Sequence, residues 1–203
     1  MKLYAIATSP YVRKVMVFAH ETGLIDRIEI VKPNISLTTS DPDLNRANPI
    51  GKVPALVLDD GGSLYDSPVI CEYLDSLHDG PKYFPSAGPE RWHALQRQAL
   101  GDGMLDAAVT ARLEVAARPA ALQWADYVTA QLAKVRRGLD ALEADCLYFP
   151  PGLDIGSIAV ACALAYLDLR YAEEEWRVGH PSLAAWFEPI AERPSMFATT
   201  PPT

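Results

Sequence analysis

The stretch from residue 79 to 89, Asp-Gly-Pro-Lys-Tyr-Phe-Pro-Ser-Ala-Gly-Pro, constrains the fold more than any other feature of the sequence. Its three prolines and two glycines in eleven residues stop a helix or a strand from running through, since proline lacks the N–H and glycine is costly to order. The chain of 203 residues therefore divides into a domain over 1–79 and a second over 86–203. Its apolar share of 49% is enough to fill a core in each.

The two parts carry different periodicities. Residues 2–7 are a short apolar run, 12–22 show helical spacing, and Ile28-Glu29-Ile30-Val31 alternate as a strand does. Residues 55–58, the turn Asp59-Asp60-Gly61-Gly62 and Ser63-Leu64-Tyr65 read as a hairpin. A helix follows, with Ser67 predicted as its N-cap, Pro68 as its first residue and Val69, Ile70, Tyr73, Leu74 and Leu77 on one face. The order βαβ then ββα predicts an α+β domain. Beyond the breaker region every segment has helical spacing. One runs over 90–117 with Trp92, Leu95, Leu100 and Leu105, and a second over 120–144 with Val128, Leu132, Val135, Leu139 and Leu142. Asp154 opens a strongly apolar helix, and a last helix carries Leu183, Trp186, Phe187 and Ile190 before Arg193-Pro194 stops it. The second domain is predicted to be all-α.

Charge narrows the partners. Against 26 acidic side chains there are 18 lysines and arginines, and residues 1–80 and the remainder each carry a net −4, which repels nucleic acid and anionic membranes at long range. The longest apolar stretch, Ile155 to Leu167, is shorter than the roughly 20 residues of a membrane span and reads as a core helix. The first residues turn polar at Thr8, unlike a secretory signal. Cys71, Cys146 and Cys162 form no CxxC and no metal spacing with the histidines. No metal and a reducing cytoplasm are the expectations.

Three short segments carry possible chemistry. Thr8-Ser9-Pro10 lies where the first strand hands over to the first helix, and Ser9 there caps the helix. The same N-terminus gathers unpaired N–H groups and partial positive charge that favour an anion, a thiolate or a carboxylate. Asn48-Pro49-Ile50-Gly51-Lys52-Val53-Pro54 places a proline directly before a strand. Most X-Pro bonds are trans, but a cis bond here would free the Val53 backbone to pair with a peptide laid alongside. Asp66-Ser67 before Pro68 puts a carboxylate and a hydroxyl at a second helix N-terminus. Capping explains both, and so does a site for a ligand carboxylate and ammonium.

In this order, a TSPYVRK junction, NPIGKVPAL, a YDSPVICEYLD helix and a helical half resemble the cytosolic glutathione transferases of bacteria, in the branch with serine at the start of the first helix. The resemblance spans the chain and implies a thioredoxin-like domain joined to an all-helical one, usually as a homodimer. It implies that glutathione is a substrate and that Ser9 donates a hydrogen bond to its sulfur. Val53 before cis-Pro54 would hold the cysteinyl unit, Asp66 and Ser67 the γ-glutamyl end, and Lys52 the glycyl carboxylate. Thr8 and Arg13 rank behind Ser9 as groups acting on the sulfur. Tyr11, Asp102, Met104, Asp106 and Arg112 are candidates for lining an electrophile pocket or reaching a neighbouring subunit, alongside the plainer reading of solvated helix charges and a core methionine. The chain departs from the family pattern at its apolar helix, where Asp154 stands as the cap and Ser157 three positions on, the reverse of the usual order.

Three activities follow from the resemblance. The first is conjugation of glutathione to a small hydrophobic electrophile, a detoxifying transferase. The second is a glutathione-dependent thiol-disulfide reductase or peroxidase on the same scaffold. The third is a regulatory or protein-binding relative without catalysis.

Overall fold

The computed structural model describes residues 1–202, which form two compact units. The first holds Met1–Phe84 with the residues from Pro194 on, and the second Pro85–Arg193. The sequence pattern predicts one helical domain over 86–203. The last segment clusters with the first unit instead, because its contacts are made with the first helix.

In the first unit, β1 (Lys2–Tyr4), α1 (Pro10–Glu21), β2 (Glu29–Val31), α2 (Pro42–Ala47), β3 (Ala55–Val57), β4 (Ser63–Leu64) and α3 (Ser67–Ser76) follow in order. The sheet runs β2-β1-β3-β4, with β2 parallel to β1 and the other two pairings antiparallel. The register sets Leu3 opposite Leu56 and Tyr4 opposite Ala55. Since successive side chains point to opposite faces, Leu3 and Leu56, both fully buried, share one face. Ala55 lies on the other, in a cluster with Leu44 and Ala47 of α2 against which Tyr4 and Val57 pack. Helices α1 and α3 pack on each other, burying Val12, Val15 and Phe18 from one and Ile70, Cys71 and Leu74 from the other. The Asp75 carboxylate, buried near the end of α3, accepts from the N–H groups of Tyr83 (2.9 Å) and Phe84 (3.2 Å) and so fixes the chain as it leaves the unit.

The second unit contains α4 (Gly88–Ala116), α5 (Ala125–Asp145), α6 (Ile155–Arg170) and α7 (Pro181–Ala191). A short α8 (Pro194–Ala198) follows and belongs to the first unit, where Arg13 Nη2 donates to the Met196 carbonyl at 3.1 Å and the Ser195 hydroxyl donates to Glu21. Helix α6 is buried over nearly its whole length, as its unbroken apolar run requires. Gly101 of α4 allows close approach to it, for a Cβ there would lie 2.9 Å from the Ala159 backbone. No single helix among the described residues is long and apolar enough to cross a membrane.

Two helix starts are held by carboxylates. The Asp154 side chain accepts from the Ser157 N–H at 2.7 Å and pairs with Arg97, whose guanidinium lies 5.0 Å from the centre of the Phe149 ring. The Ser157 hydroxyl makes no hydrogen bond among the described residues, so Asp154 caps alone and no reciprocal arm forms. At α7, where His180 gives no side-chain cap, Glu143 of α5 accepts from the N–H groups of Ser182 (3.0 Å) and Leu183 (2.7 Å).

Replacing Asp154 by Ala removes a cap worth about 1 kcal/mol and leaves the mostly buried Arg97 without its counter-charge. The total loss should approach the roughly 3–5 kcal/mol of a broken buried pair, read as a lowered urea midpoint. Desolvation pushes the Glu143 carboxyl up, but donation from the Leu183 and Ser182 N–H groups outweighs it and holds the group below its ordinary value. Such a group stabilises the fold above its unfolded pKa of about 4.3 and loses that contribution as pH falls through the lower folded value. Glu143→Gln should therefore be less stable than the wild type at pH 7, and the gap between their urea midpoints should narrow below about pH 4.

Candidate functional site

The pairing register gathers three chain segments at one end of the sheet. Strand β3 runs antiparallel to β1 and β4, so the residues after β1, before β3 and after β4 emerge together. These are the chain leading to Ser9, the segment 48–54, and Tyr65-Asp66-Ser67.

Ser9 is the N-cap of α1, in extended backbone with φ −79° and ψ 121°, and its Oγ accepts from the Val12 N–H at 3.3 Å. A hydroxyl has one hydrogen and two lone pairs, so accepting from Val12 leaves the Ser9 O–H able to donate. Ser9 is half-buried whereas Thr8 is exposed. Tyr11 and Arg13 lie in the first turns, both half-buried. Besides the Met196 carbonyl, the Arg13 guanidinium meets Thr199 Oγ1 at 3.4 Å, which turns it toward α8.

The Val53–Pro54 bond is cis. No backbone hydrogen bond within the described residues uses the Val53 N–H or carbonyl, since β3 pairing begins only at Ala55. Lys52 is exposed and Pro54 buried. Sequence reasoning missed the residue that shapes this segment. Asn48, 2% exposed, ends α2 and turns its side-chain amide into the loop, Nδ2 donating to the Lys52 carbonyl at 2.8 Å and Oδ1 accepting from the Ile50 N–H at 3.1 Å. An Asn two residues before a turn N–H is an Asx-turn signal, visible in the sequence as Asn48-Pro49-Ile50-Gly51. Gly51 takes φ +67°, and a Cβ there would sit 2.8 Å from Asn45 Oδ1.

The third segment corrects one expectation. Ser67 is the first residue of α3 and not its cap; Asp66 holds the cap position, without a side-chain cap bond, and the Tyr65–Asp66 peptide is cis. Helical geometry reaches back one residue because the Asp66 carbonyl already accepts from the Ile70 N–H at 3.0 Å. Asp66 is exposed and Ser67 is 1% exposed.

The candidates on α4 do not share a face. Asp102 and Asp106, one turn apart, lie on one side, half-buried and exposed respectively. Met104 points nearly the opposite way, 3% exposed, against Gly138 of α5, where a Cβ would come within 2.7 Å of its side chain. It borders a groove of about 280 Å³ with Leu100, Lys134 and Arg137. Arg112 is half-buried further along. A cavity of about 350 Å³ in the helical unit is lined by Arg136, Leu139, Leu167, Tyr171, Trp176 and His180, and by none of the candidate residues. Burial pushes the Tyr171 phenol up to about 12, and its O–H donates to the Ala108 carbonyl at 2.7 Å. Among the described residues no cluster of three or more His, Cys, Asp and Glu side chains is placed to hold a metal ion.

Comparison with known proteins bears on the family and the fold. The glutathione S-transferase N-terminal domain family matches residues 8–77 and the glutathione S-transferase C-terminal domain family matches 125–188. An uncharacterized GST-like protein of Escherichia coli K12, YibF, is 35% identical over 205 residues, covering 100% of this chain and 99% of the relative. The crystal structure of a glutathione transferase family member from Pseudomonas fluorescens Pf-5 with bound glutathione is 47% identical with a TM-score of 0.96, covering 100% of this chain and 99% of that one. A second structure of a family member from the same strain, with bound S-(propanoic acid)-glutathione, is 45% identical with a TM-score of 0.92, covering 100% of both chains.

Proposed function

The chain belongs to the glutathione S-transferase family, and from that membership we propose that it binds glutathione at the end of the sheet where Ser9, Val53 and Asp66 converge, and conjugates it to a small hydrophobic electrophile. The observation that carries this reading is the Val53 N–H and carbonyl, left unused beside cis-Pro54 at the end of the sheet that also presents the α1 N-terminus. A peptide laid antiparallel there pairs with both groups, the edge-strand mode of recognition. That fixes the cysteinyl unit and directs its thiol toward Ser9. The γ-glutamyl end goes to α3, its carboxylate to the Ser67 hydroxyl and the free N–H groups of the first turn, its ammonium to Asp66. Lys52 faces the glycyl carboxylate. The relative seen with a propanoic acid group on the glutathione sulfur supports space for a substituent at that atom.

Activation follows from charge. A free thiol has a pKa of about 8.5, so only a few per cent is thiolate at neutral pH. Donation from the Ser9 O–H and the partial positive charge of α1 both favour the anion, and lowering the pKa by about two units makes thiolate the majority species. The thiol proton leaves to water and Ser9 stays protonated. The sulfur lone pair then forms the new bond to the electrophilic carbon, and the leaving group departs with the displaced electron pair or, in an addition, the adduct takes a proton from water. We take the working form to be a homodimer: Tyr65, 37% exposed, and Val69, 46% exposed, leave apolar surface near the start of α3 for a second copy to cover.

Calorimetric titration should show heat of glutathione binding, and its absence overturns the reading. Ser9→Ala should cut turnover with a chloronitrobenzene substrate at least tenfold, with glutathione affinity little changed, because the hydroxyl acts on sulfur charge. Normal turnover in that variant together with loss in Thr8→Val would move the donor role to Thr8. A chain that reduces glutathione mixed disulfides but conjugates no electrophile is the reductase instead.

A further inference from the structure

We infer that Asn48, which no sequence signature marks as a ligand contact, is a positioning residue that sets how tightly glutathione is held, by deciding which backbone groups of the 50–53 segment are consumed and which are left for the ligand. The inference rests on the glutathione reading above.

Asn48 closes a five-residue loop with three hydrogen bonds. Its own carbonyl accepts from the Gly51 N–H at 2.8 Å, its Oδ1 from the Ile50 N–H at 3.1 Å, and its Nδ2 donates to the Lys52 carbonyl at 2.8 Å. It is anchored in turn, its N–H donating to the Leu44 carbonyl at 2.7 Å as α2 ends, with Leu44 fully buried against the sheet. The loop is therefore tied to the end of α2 through one residue, by two backbone and two side-chain hydrogen bonds. Every group that Asn48 engages is one the ligand cannot use, and the next residue, Val53, keeps both its N–H and its carbonyl.

Residue chemistry makes the position exacting. The position needs a separate donor and acceptor atom on one short arm, which the Asn carboxamide supplies and neither a carboxylate nor a methyl group does. Aspartate keeps the acceptor for Ile50 but sets a carboxylate against the Lys52 carbonyl, and alanine loses both. Without the brace, the Lys52–Val53 peptide is free to rotate, and the edge that receives the cysteinyl backbone must be ordered at the moment of binding, a cost that lowers affinity. Thiolate stabilisation belongs to α1 and Ser9, a separate element, so the chemical step should be spared.

The test compares wild type, Asn48→Ala and Asn48→Asp by calorimetric titration with glutathione, by steady-state kinetics, and by the ultraviolet absorbance of the bound thiolate against pH. The expected result is a glutathione Kd raised at least tenfold in both variants, kcat at saturating glutathione within about twofold of wild type, and an unchanged pKa for the bound thiol. A merely structural role would instead lower the binding stoichiometry with Kd unchanged, and that outcome overturns the inference. So does a folded variant that binds within twofold of wild type. Should Asn48→Ala fail to fold, Asn48→Asp decides by the same criteria. Wild-type protein that binds no glutathione defeats the underlying reading, and is told apart from failure of the Asn48 role by the first titration.

Discussion

The structure depends on the antiparallel pairing of β3 with β1 and β4. Only that pairing makes the exits of β1 and β4 and the entry of β3 coincide, so that backbone groups from three distant stretches of sequence meet at one end of the sheet. Two of these stretches arrive with backbone groups that the fold itself does not use, the first N–H groups of α3, which no side chain caps, and the Val53 peptide before the ladder begins, while the third brings the N-terminus of α1 with its Ser9 cap. Backbone groups in a folded chain are almost always paired, so two unused sets beside the α1 N-terminus are the physical ground for a peptide ligand. A parallel β3 would send the same residues to opposite ends.

Much of this was legible in the sequence because its causes are local. Ser9-Pro10 announced the α1 cap, since a hydroxyl before a proline at N1 satisfies a backbone donor within three residues, and the structure shows that bond to Val12. The cis bond at Pro54 was legible only as an option, because nothing local forces it; the surrounding loop does. The start of α3 was misplaced by one residue for a related reason: Asp, Ser and Pro in succession offer two equivalent caps, and the choice lies in backbone geometry at Asp66. The Asx-turn of Asn48 on Ile50 is legible as a local signal, but its second bond, to the Lys52 carbonyl, is not, because a backbone carbonyl has no letter in the sequence. Residues 194–202 were grouped with the helices by chain order, whereas Arg13 and Glu21 draw them onto α1.

The α4 candidates show the limit of proximity along a helix. Asp102, Met104 and Asp106 are near neighbours in sequence, yet a residue two positions on turns about 200° away, so Met104 is packed on Gly138 while the two aspartates face elsewhere. The helical unit spends its carboxylates on its own ends: Asp154 and Glu143 each hold N–H groups at a helix start, one on its own helix and one across from α5 to α7. The exchanged Asp154 and Ser157 work for the same reason. The cap requires only an acceptor aimed at the N3 N–H, and a carboxylate supplies it while also neutralising Arg97.

Binding and activation rest on different elements in the proposed site, and this separation has a consequence for how the family's chemistry can vary. In our proposal the loop braced by Asn48 and the start of α3 set where the tripeptide lies, while the sulfur's charge is set by one hydroxyl and the N-terminus of one helix. Ser9 stands at the junction, accepting from Val12 with one lone pair and leaving its O–H able to donate. The cap orients that hydrogen away from the helix, because a hydroxyl receiving an N–H on one side directs its own O–H elsewhere. A single residue thus ends the helix and aims the donor. Any replacement must satisfy both geometries, which is why a side chain of similar size carrying an acceptor and a donor, or a thiol that itself becomes the nucleophile, are the chemically reasonable alternatives there.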